Sequence, residues 1–505
     1  MKKWAVALTA SIASGWIGAA WAISDTSMIP ESDVMQERAA LHEVVDQSRQ
    51  AHPDQVAMRR ALKTILASSA FVALSGEEQH VAYLLYGAIL FDAHEWAEAR
   101  TAIKAASEMP EATGFDWDLR LRADFILHDH PDAVAAAIRL ARNWPEKFAD
   151  YSDNAIFQLS REAGDAPGSR VDFIEALYQN KWKPKSDFSS ADSLWLSLAR
   201  VRVEKGDIAG ATTIAAGIRE PTSVLAMRID KRFDDIVQAA PDHYDVMKAY
   251  DAFLRDQKAK SAAAPDKLEG VNAVSELLLA LNRPDEALSL TSAALARLKE
   301  NPKAYSDSED KSNWTRDIRS RALFTLGRND EAFAALRAGA SQREDGGINV
   351  SQAINLADQY NMFDRPKDAL AAVASVGETS DYGHMALLDA RACAYFELQD
   401  SQNLAAVLRD MRAHRRDGTQ PFLNAMLLTG NLDDAAAEVI AELQDPERRI
   451  EMLGFLQDYS PDPHPTKRSQ AVHAAWLAVR ARPDVAAEIA KVGHINQYPL
   501  RSPSY

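Results

Sequence analysis

The chain of 505 residues has a single cysteine, Cys393. One thiol closes no intramolecular disulfide and builds no multi-cysteine zinc or iron–sulfur site. Glycine and proline are sparse, 21 of each, which excludes a collagen-like or loop-rich low-complexity chain. Beyond residue 22 there is no apolar run of the length a membrane-spanning helix needs, about 18 residues. Positive charge is in deficit, with 57 Lys+Arg against 73 Asp+Glu and a net charge of −16. Nucleic acid and anionic membrane surfaces both demand clustered cations, so neither is expected as the main partner. Also missing are the G-x-x-x-x-G-K and G-x-G-x-x-G phosphate loops and the G-x-S-x-G nucleophile elbow. What is there in quantity is apolar side chain, 47% of the total, enough for a substantial core and too much for a disordered chain.

Residues 1–22 read as a secretory signal. Lys2 and Lys3 precede a small or apolar stretch from Trp4 to Ala19, and Ala20-Trp21-Ala22 fits the small-x-small cleavage rule. An uncleaved anchor is the alternative, but Ser11, Ser14, Gly15 and Gly18 interrupt the stretch and no stop-transfer charges follow. A lipid-anchored form by the usual route needs a cysteine at the cleavage point, and the one cysteine is Cys393. The expected compartment is a bacterial periplasm, reached through a cleaved signal peptide. Asn313-Trp314-Thr315 and Asn349-Val350-Ser351 are formal glycosylation sequons of a kind that arises often by chance.

From about residue 31 the apolar pattern is helical rather than alternating. Stretches of helix-forming residues are separated by short breaks, which predicts antiparallel helix pairs with short loops. The breaks recur. Pro131-Asp132-Ala133, Pro284-Asp285-Glu286-Ala287, Pro366-Lys367-Asp368-Ala369 and Pro483-Asp484-Val485-Ala486 each open a helix. Proline suits the first helical position, an acidic residue in the first turn favours the helix dipole, and the alanine is small where the helix crosses its predecessor. Glycine variants of the same turn stand at Gly206 before Ala211, Gly327 before Ala332 and Gly430 before Ala435.

With these residues in view, the chain resembles the tetratricopeptide repeat, a helix–turn–helix unit of 34 residues. Tyr83, Tyr86, Gly87 and Leu90 match the repeat's first helix, and Ala99, Ile103, Ala106 and Pro110 its second. Trp195, Leu198, Ala199, Ala211 and Ala215 fit another unit. Leu356, Ala357, Tyr360, Ala369 and Val373 fit a third, and Leu388, Ala392, Tyr395, Leu404 and Leu408 a fourth, with Leu404 where alanine is usual. The marker positions Ala99 and Ala133 lie 34 apart, and Ala369 and Leu404 lie 35 apart. Elsewhere the spacing is irregular. The long gaps from Ala133 to Ala211 and from Ala211 to Ala287 each have room for one divergent pair, near 152–180 and 222–260. The resemblance implies an all-α fold, a superhelical array of antiparallel helix pairs (a tetratricopeptide-like α-solenoid). The expected organisation is a signal peptide over 1–22, a helical cap over 23–75, repeats over 76–260 and 261–491, and an extended tail over 492–505.

Signals for chemistry are weak. His42 with Asp46, His94 with Glu98, and His128 with His130 are partial metal patterns at places where exposed polar residues are expected. Ser308 and Lys311 match S-x-x-K without the K-T-G partner that penicillin-recognising enzymes carry. Cys393, beside the small position Ala392, reads as a buried small hydrophobe. Arg409, Arg412, Arg415 and Arg416, with His414, form the densest basic cluster of an acidic chain. They read either as a solvated helix end or as an anion-binding patch.

Tetratricopeptide domains bind an extended partner along a groove lined by their first helices. Carried across residue by residue, the resemblance places Asn272, Glu276, Trp314, Asp317, Arg321, Ser351, Asp358, Asn361 and Asp389 on that face. The face is polar with one aromatic, which suits hydrogen bonding to a peptide or glycan. The expectation is therefore an exported, non-catalytic protein-binding scaffold or adaptor of the cell envelope. No cofactor or metal is expected, and the partners are other envelope or secreted proteins, with polysaccharide as a second possibility. The rival is a polysaccharide-active or glycan-binding all-α protein, such as an α/α-toroid lyase or hydrolase. Short loops and scattered aromatics argue against it.

Overall fold

The computed structural model describes residues 29–163, 169–342 and 349–502. The signal expected over 1–22 lies outside the described residues. The chain divides into two compact units between Leu198 and Ala199. The first holds α1 (Glu31–Ser48), α2 (Gln55–Ala67), α3 (Gly76–Asp92), α4 (Trp96–Ser107), α5 (Gly114–Ile126), α6 (His130–Asn143), α7 (Asp153–Glu162) and α8 (Ser169–Gln179). The division falls within α9 (Asp192–Glu204).

The second unit continues with α10 (Ile208–Ala215), α11 (Pro221–Ile229), α12 (Asp234–Ala239), α13 (Val246–Ala263), α14 (Leu268–Ala280) and α15 (Pro284–Glu300). Then come α16 (Ser308–Thr325), α17 (Asn329–Ala340), α18 (Val350–Met362), α19 (Pro366–Ala372), α20 (Asp381–Glu397) and α21 (Ser401–Ala413). It ends with α22 (Thr419–Leu428), α23 (Leu432–Gln444), α24 (Arg449–Phe455), α25 (Lys467–Arg480) and α26 (Pro483–Val492). No extended strand lies among the described residues. The array is tetratricopeptide-like: α3 packs on α4, α5 on α6, α14 on α15, α16 on α17, α18 on α19, α20 on α21 and α22 on α23. The first long gap in the repeat spacing holds α7 and α8, and the second holds three helices, α11 to α13.

One turn is reused throughout. Among the described residues, nine positions take a left-handed backbone at the end of a helix: His94, His128, Lys181, Gly206, Asn282, Gly327, Asp364, Gln399 and Gly430. In each, the next residue donates its N–H to the carbonyl five back. Glu95 to Leu90, Arg283 to Leu278 and Asn431 to Met426 are examples, all nine at 2.8–3.0 Å. This bond satisfies a helix-end carbonyl and reverses the chain within a few residues. After seven of these nine turns an alanine five residues on packs where two helices cross: Ala99, Ala133, Ala211, Ala287, Ala332, Ala369 and Ala435 are all essentially inaccessible, while Leu404 and Ser186, half-buried, hold that position after Gln399 and Lys181. A side chain at Gly87 meets the same limit, since a Cβ there would stand 2.6 Å from Ile103. The Pro483 break departs from the rule. Ala481, two residues ahead of the proline, is right-handed (φ −78°) where Asn282 and Asp364 are left-handed, Ala486 is exposed, and Val485 occupies the buried position.

The left-handed turn carries a direct energetic consequence. A Cβ on Gly430 would meet nothing within 4 Å, so only the backbone conformation (φ 74°) opposes substitution. Gly430→Ala is expected to destabilise the second unit by about 1 kcal/mol. Gln399→Gly, at φ 56°, is expected to stabilise it by up to about 1 kcal/mol. Urea unfolding followed by helical circular dichroism should show the two midpoints moving in opposite directions.

Candidate functional site

The residues expected on the groove lie on the first helices of successive pairs in the second unit. Asn272 and Glu276 are on α14, Trp314, Asp317 and Arg321 on α16, Ser351, Asp358 and Asn361 on α18, and Asp389 on α20. Most are tied to one another or to the next first helix. Thr315 Oγ1 donates to Asn272 Oδ1 at 2.8 Å, and Asn272 Nδ2 donates to the Lys311 carbonyl at 3.2 Å. Arg321 donates to Glu276 and, at 3.0 Å, to Asp317 Oδ2. The other Asp317 oxygen accepts from Asn355 Nδ2 of α18 at 3.0 Å. Asn361 Nδ2 donates to the Ala390 carbonyl of α20 at 2.7 Å, and Asn424 Nδ2 of α22 donates to Asp389 Oδ2 at 2.7 Å. The row is thus a polar ladder from α14 to α22. It fixes neighbouring repeats against each other, because a buried hydrogen-bonding group is costly to leave unpaired.

Two residues of the row stand outside this ladder at the surface. Trp314 is 45% exposed, the one aromatic of the row, and Ser351 is exposed on the adjacent helix.

The other end of the row is covered by the chain itself. After α24 the backbone turns back on the second unit. α25 packs against α22 and touches α18, while α26 packs on α23. Arg468 of α25 is buried, with Nη2 2.8 Å from Glu397 Oε1 of α20. Its charge acts on Asp358, Asp389 and Cys393. Burial raises the Asp389 carboxyl to about 7, with Asn424, Cys393 and Arg468 opposing the rise. Burial, and then the Asp389 charge, push Asp358 well above the usual carboxylate range. Cys393 is buried, and its thiol is pushed up by burial first and by Asp389 next. A thiol held neutral in this way is a poor nucleophile.

Behind α26 the tail is hydrogen-bonded rather than free. His494 donates its N–H to the Ile229 carbonyl at 2.8 Å, and its Nε2 lies 2.8 Å from Asp234 Oδ1. Tyr498 donates to the Asp458 carbonyl at 2.8 Å, and Arg501 to the Ala280 carbonyl at the end of α14 at 2.9 Å. Arg200 and Arg232 both donate to the Pro446 carbonyl, at 3.2 and 2.9 Å. The last helices of this unit therefore return to its first ones.

The basic cluster at the end of α21 is partly neutralised. Arg412 donates to Asp434 of α23 at 2.8 and 3.0 Å, and Arg415 Nε lies 3.3 Å from Glu438. Arg409 and Arg416 are exposed. Of the partial metal patterns, Asp129 caps α6 and is ion-paired with Arg100, while Glu98 accepts from the Tyr86 hydroxyl at 2.6 Å.

Sequence reasoning missed Asn355, Asn424 and Arg468. Asn355 lies four residues after Ser351 and three before Asp358, so helical periodicity alone places it on the same face. Arg468 had no local signal, because a helix from outside the row brings it there.

These features define a tetratricopeptide-like helical-repeat protein, a class fixed by the helix pairs, their shared turn and their buried alanines. No protein-family model matches the chain, and no curated protein matches it. Among solved structures it is similar to the yeast Tom70 crystal structure, at 11% identity over 91% of this chain and 100% of that one, TM-score 0.32. It is similar to the anaphase-promoting-complex hetero-tetramer Cut9–Hcn1, at 11% identity over 92% and 96% of the two chains, TM-score 0.28. It is also similar to Naa15/Naa10 bound to HypK-THB, at 14% identity over 88% and 68%, TM-score 0.22.

The raised carboxyl of Asp389 fixes the sign of a pH effect. The folded state holds its proton up to about pH 7, whereas an unfolded aspartate releases it near 3.9. The contribution to stability is therefore full below about pH 4 and is lost as pH rises through about 7. Asp389→Asn is expected to match the native chain at pH 4. At pH 8 it should be more stable, on the order of 4 kcal/mol, in urea titrations at the two pH values.

Proposed function

We propose that this chain is an exported, non-catalytic scaffold of the bacterial cell envelope that binds a protein partner along the open part of its first-helix row. The observation that carries the reading is the contrast within that row. Its polar side chains are held rigid by the ladder from α14 to α22, while Trp314 projects from the same face into solvent. The exposed part of the row, Trp314, Ser351 and the Glu276–Arg321 pair, rests on this fixed ladder and loses little freedom on binding, and tryptophan is a preferred anchor at such surfaces. A stretch covered by α25 is not free for an extended partner, so docking falls on α14, α16 and the start of α18. The fold supports the binding reading, since helical-repeat arrays present continuous surfaces built from successive repeats. The Lys2–Ala22 pattern supports export, and the acidic chain suits a partner with a basic or neutral docking segment. Among the described residues no helix is long and apolar enough to cross a membrane.

A photo-crosslinking amino acid placed at Ser351 in cells, with a control at the exposed Leu290 of α15, tests the reading. The expected result is a discrete protein adduct from position 351 and none from 290. That adduct should fall about tenfold when Trp314→Ala and Arg321→Ala are combined. The mature protein should begin at Ile23 in the periplasmic fraction. An unchanged adduct in the double variant would overturn the proposed docking face. Retained cell-wall or capsular sugar, with no protein adduct, would favour glycan binding instead.

A further inference from the structure

His414, read from the sequence as part of a basic cluster, belongs to a different constellation in three dimensions. Asp410 lies in the last turn of α21, His414 is the residue that caps its C-terminus, and His384 reaches them from the first turn of α20. His414 Nδ1 is 2.9 Å from Asp410 Oδ1, and His384 Nε2 is 3.4 Å from Asp410 Oδ2. One donor atom from each of the three side chains lies within 4.8 Å of the others. The two imidazole rings are 5.6 Å apart and nearly perpendicular, at 85°.

We infer that His384, Asp410 and His414 form a binding site for a divalent transition-metal ion of the zinc type, clamping α20 to α21. Two imidazole nitrogens and a carboxylate oxygen are the donor set that borderline-soft divalent ions select over magnesium or calcium, which prefer all-oxygen sites. With metal–ligand bonds of 2.0–2.1 Å, tetrahedral donors sit roughly 3.3 Å apart. The two histidine–carboxylate distances, 2.9 Å to Oδ1 and 3.4 Å to Oδ2, lie near that value, and with all three donors within 4.8 Å of one another closure needs only side-chain movement. All three side chains are 40–47% exposed, which gives an ion an entry path and leaves a fourth position for water or for a donor from a partner.

The neighbouring arginines do not abolish the site's attraction for a cation. Arg412 and Arg415 are engaged by Asp434 and Glu438 of α23, and Asp410 supplies a negative charge at the centre. Without metal, His414 Nδ1 lies 3.1 Å from the Asp410 carbonyl. That backbone contact, then the Asp410 side chain, raises its proton affinity. A proton and a metal ion therefore compete for the same nitrogen.

Other histidines among the described residues lack this grouping. His80 and Asp116 are a buried pair tied into the cap of α5, and His494 meets a single carboxylate, Asp234.

The test is zinc titration of the mature full-length chain by calorimetry at pH 7.5, with cobalt substitution as a spectroscopic readout. One zinc per chain is expected, together with a visible cobalt spectrum of low-coordinate type and a higher unfolding midpoint in zinc. His384→Ala, His414→Ala and Asp410→Asn should each weaken binding at least about tenfold. Exposed His473→Ala on α25 should leave it unchanged, and lowering the pH to 5.5 should weaken it in the native chain. Helical circular dichroism should be unaltered in every variant, because the three side chains are at the surface. The inference is overturned if the native chain binds no stoichiometric zinc, or if binding survives all three substitutions.

Discussion

The structure depends on one backbone event, the left-handed residue that ends a first helix and the hydrogen bond that the next N–H returns five residues back. It reverses the chain in a fixed geometry, so wherever a helix follows directly it crosses its predecessor at nearly the same place; among the described residues only the Lys181 turn leads instead into a longer loop before α9. A small side chain is favoured there, as the inaccessible alanines at 99, 133, 211, 287, 332, 369 and 435 record, and Leu404 after the Gln399 turn is the larger exception. Helix pairs formed in this way cannot bury their own apolar stripes, so each leans on the next. The polar ladder from Asn272 to Asn424 then locks first helix to first helix where apolar packing gives way to the exposed face.

Much of this was legible in the sequence where chemistry marks the backbone. Glycine at 206, 327 and 430, and proline at 131, 284 and 366, announce the turn because each residue type has a conformational reason to be there. The same turn at His94, Lys181 and Gln399 carries no such mark, since an ordinary side chain accepts the left-handed conformation at modest cost when the surrounding packing demands it. Conversely, Pro483 looks like its counterparts and is not, because Ala481 two residues ahead of it stays right-handed where Asn282 and Asp364 turn left-handed. The division between the two units was equally hard to read. It falls inside α9, where no linker composition signals a boundary.

The candidate site shows the same split between local and distant information. The resemblance to the tetratricopeptide repeat was what put Asn272 through Asp389 on the first helices of their pairs. It was blind to α25, which arrives from outside that row and places Arg468 near Asp358 and Asp389. The consequence is a row with two characters. Toward α18–α22 it is closed, with carboxyls and a thiol whose pKa burial has raised. Toward α14–α16 it is open, polar and topped by one tryptophan. His384 likewise comes from a different helix than its partners, so its grouping with Asp410 and His414 had no sequence signature.

The division of the row into a closed and an open part is the central claim, and the lone cysteine allows it to be measured directly. A thiol reagent applied to the native chain at neutral pH reports access to Cys393, which the structure buries. The same reagent applied to a Cys393→Ala, Trp314→Cys chain reports access to the open part. Position 314 should react at least about a hundredfold faster, since burial and a raised thiol pKa both slow Cys393. Equal rates at the two positions, with both chains folded, would contradict the account.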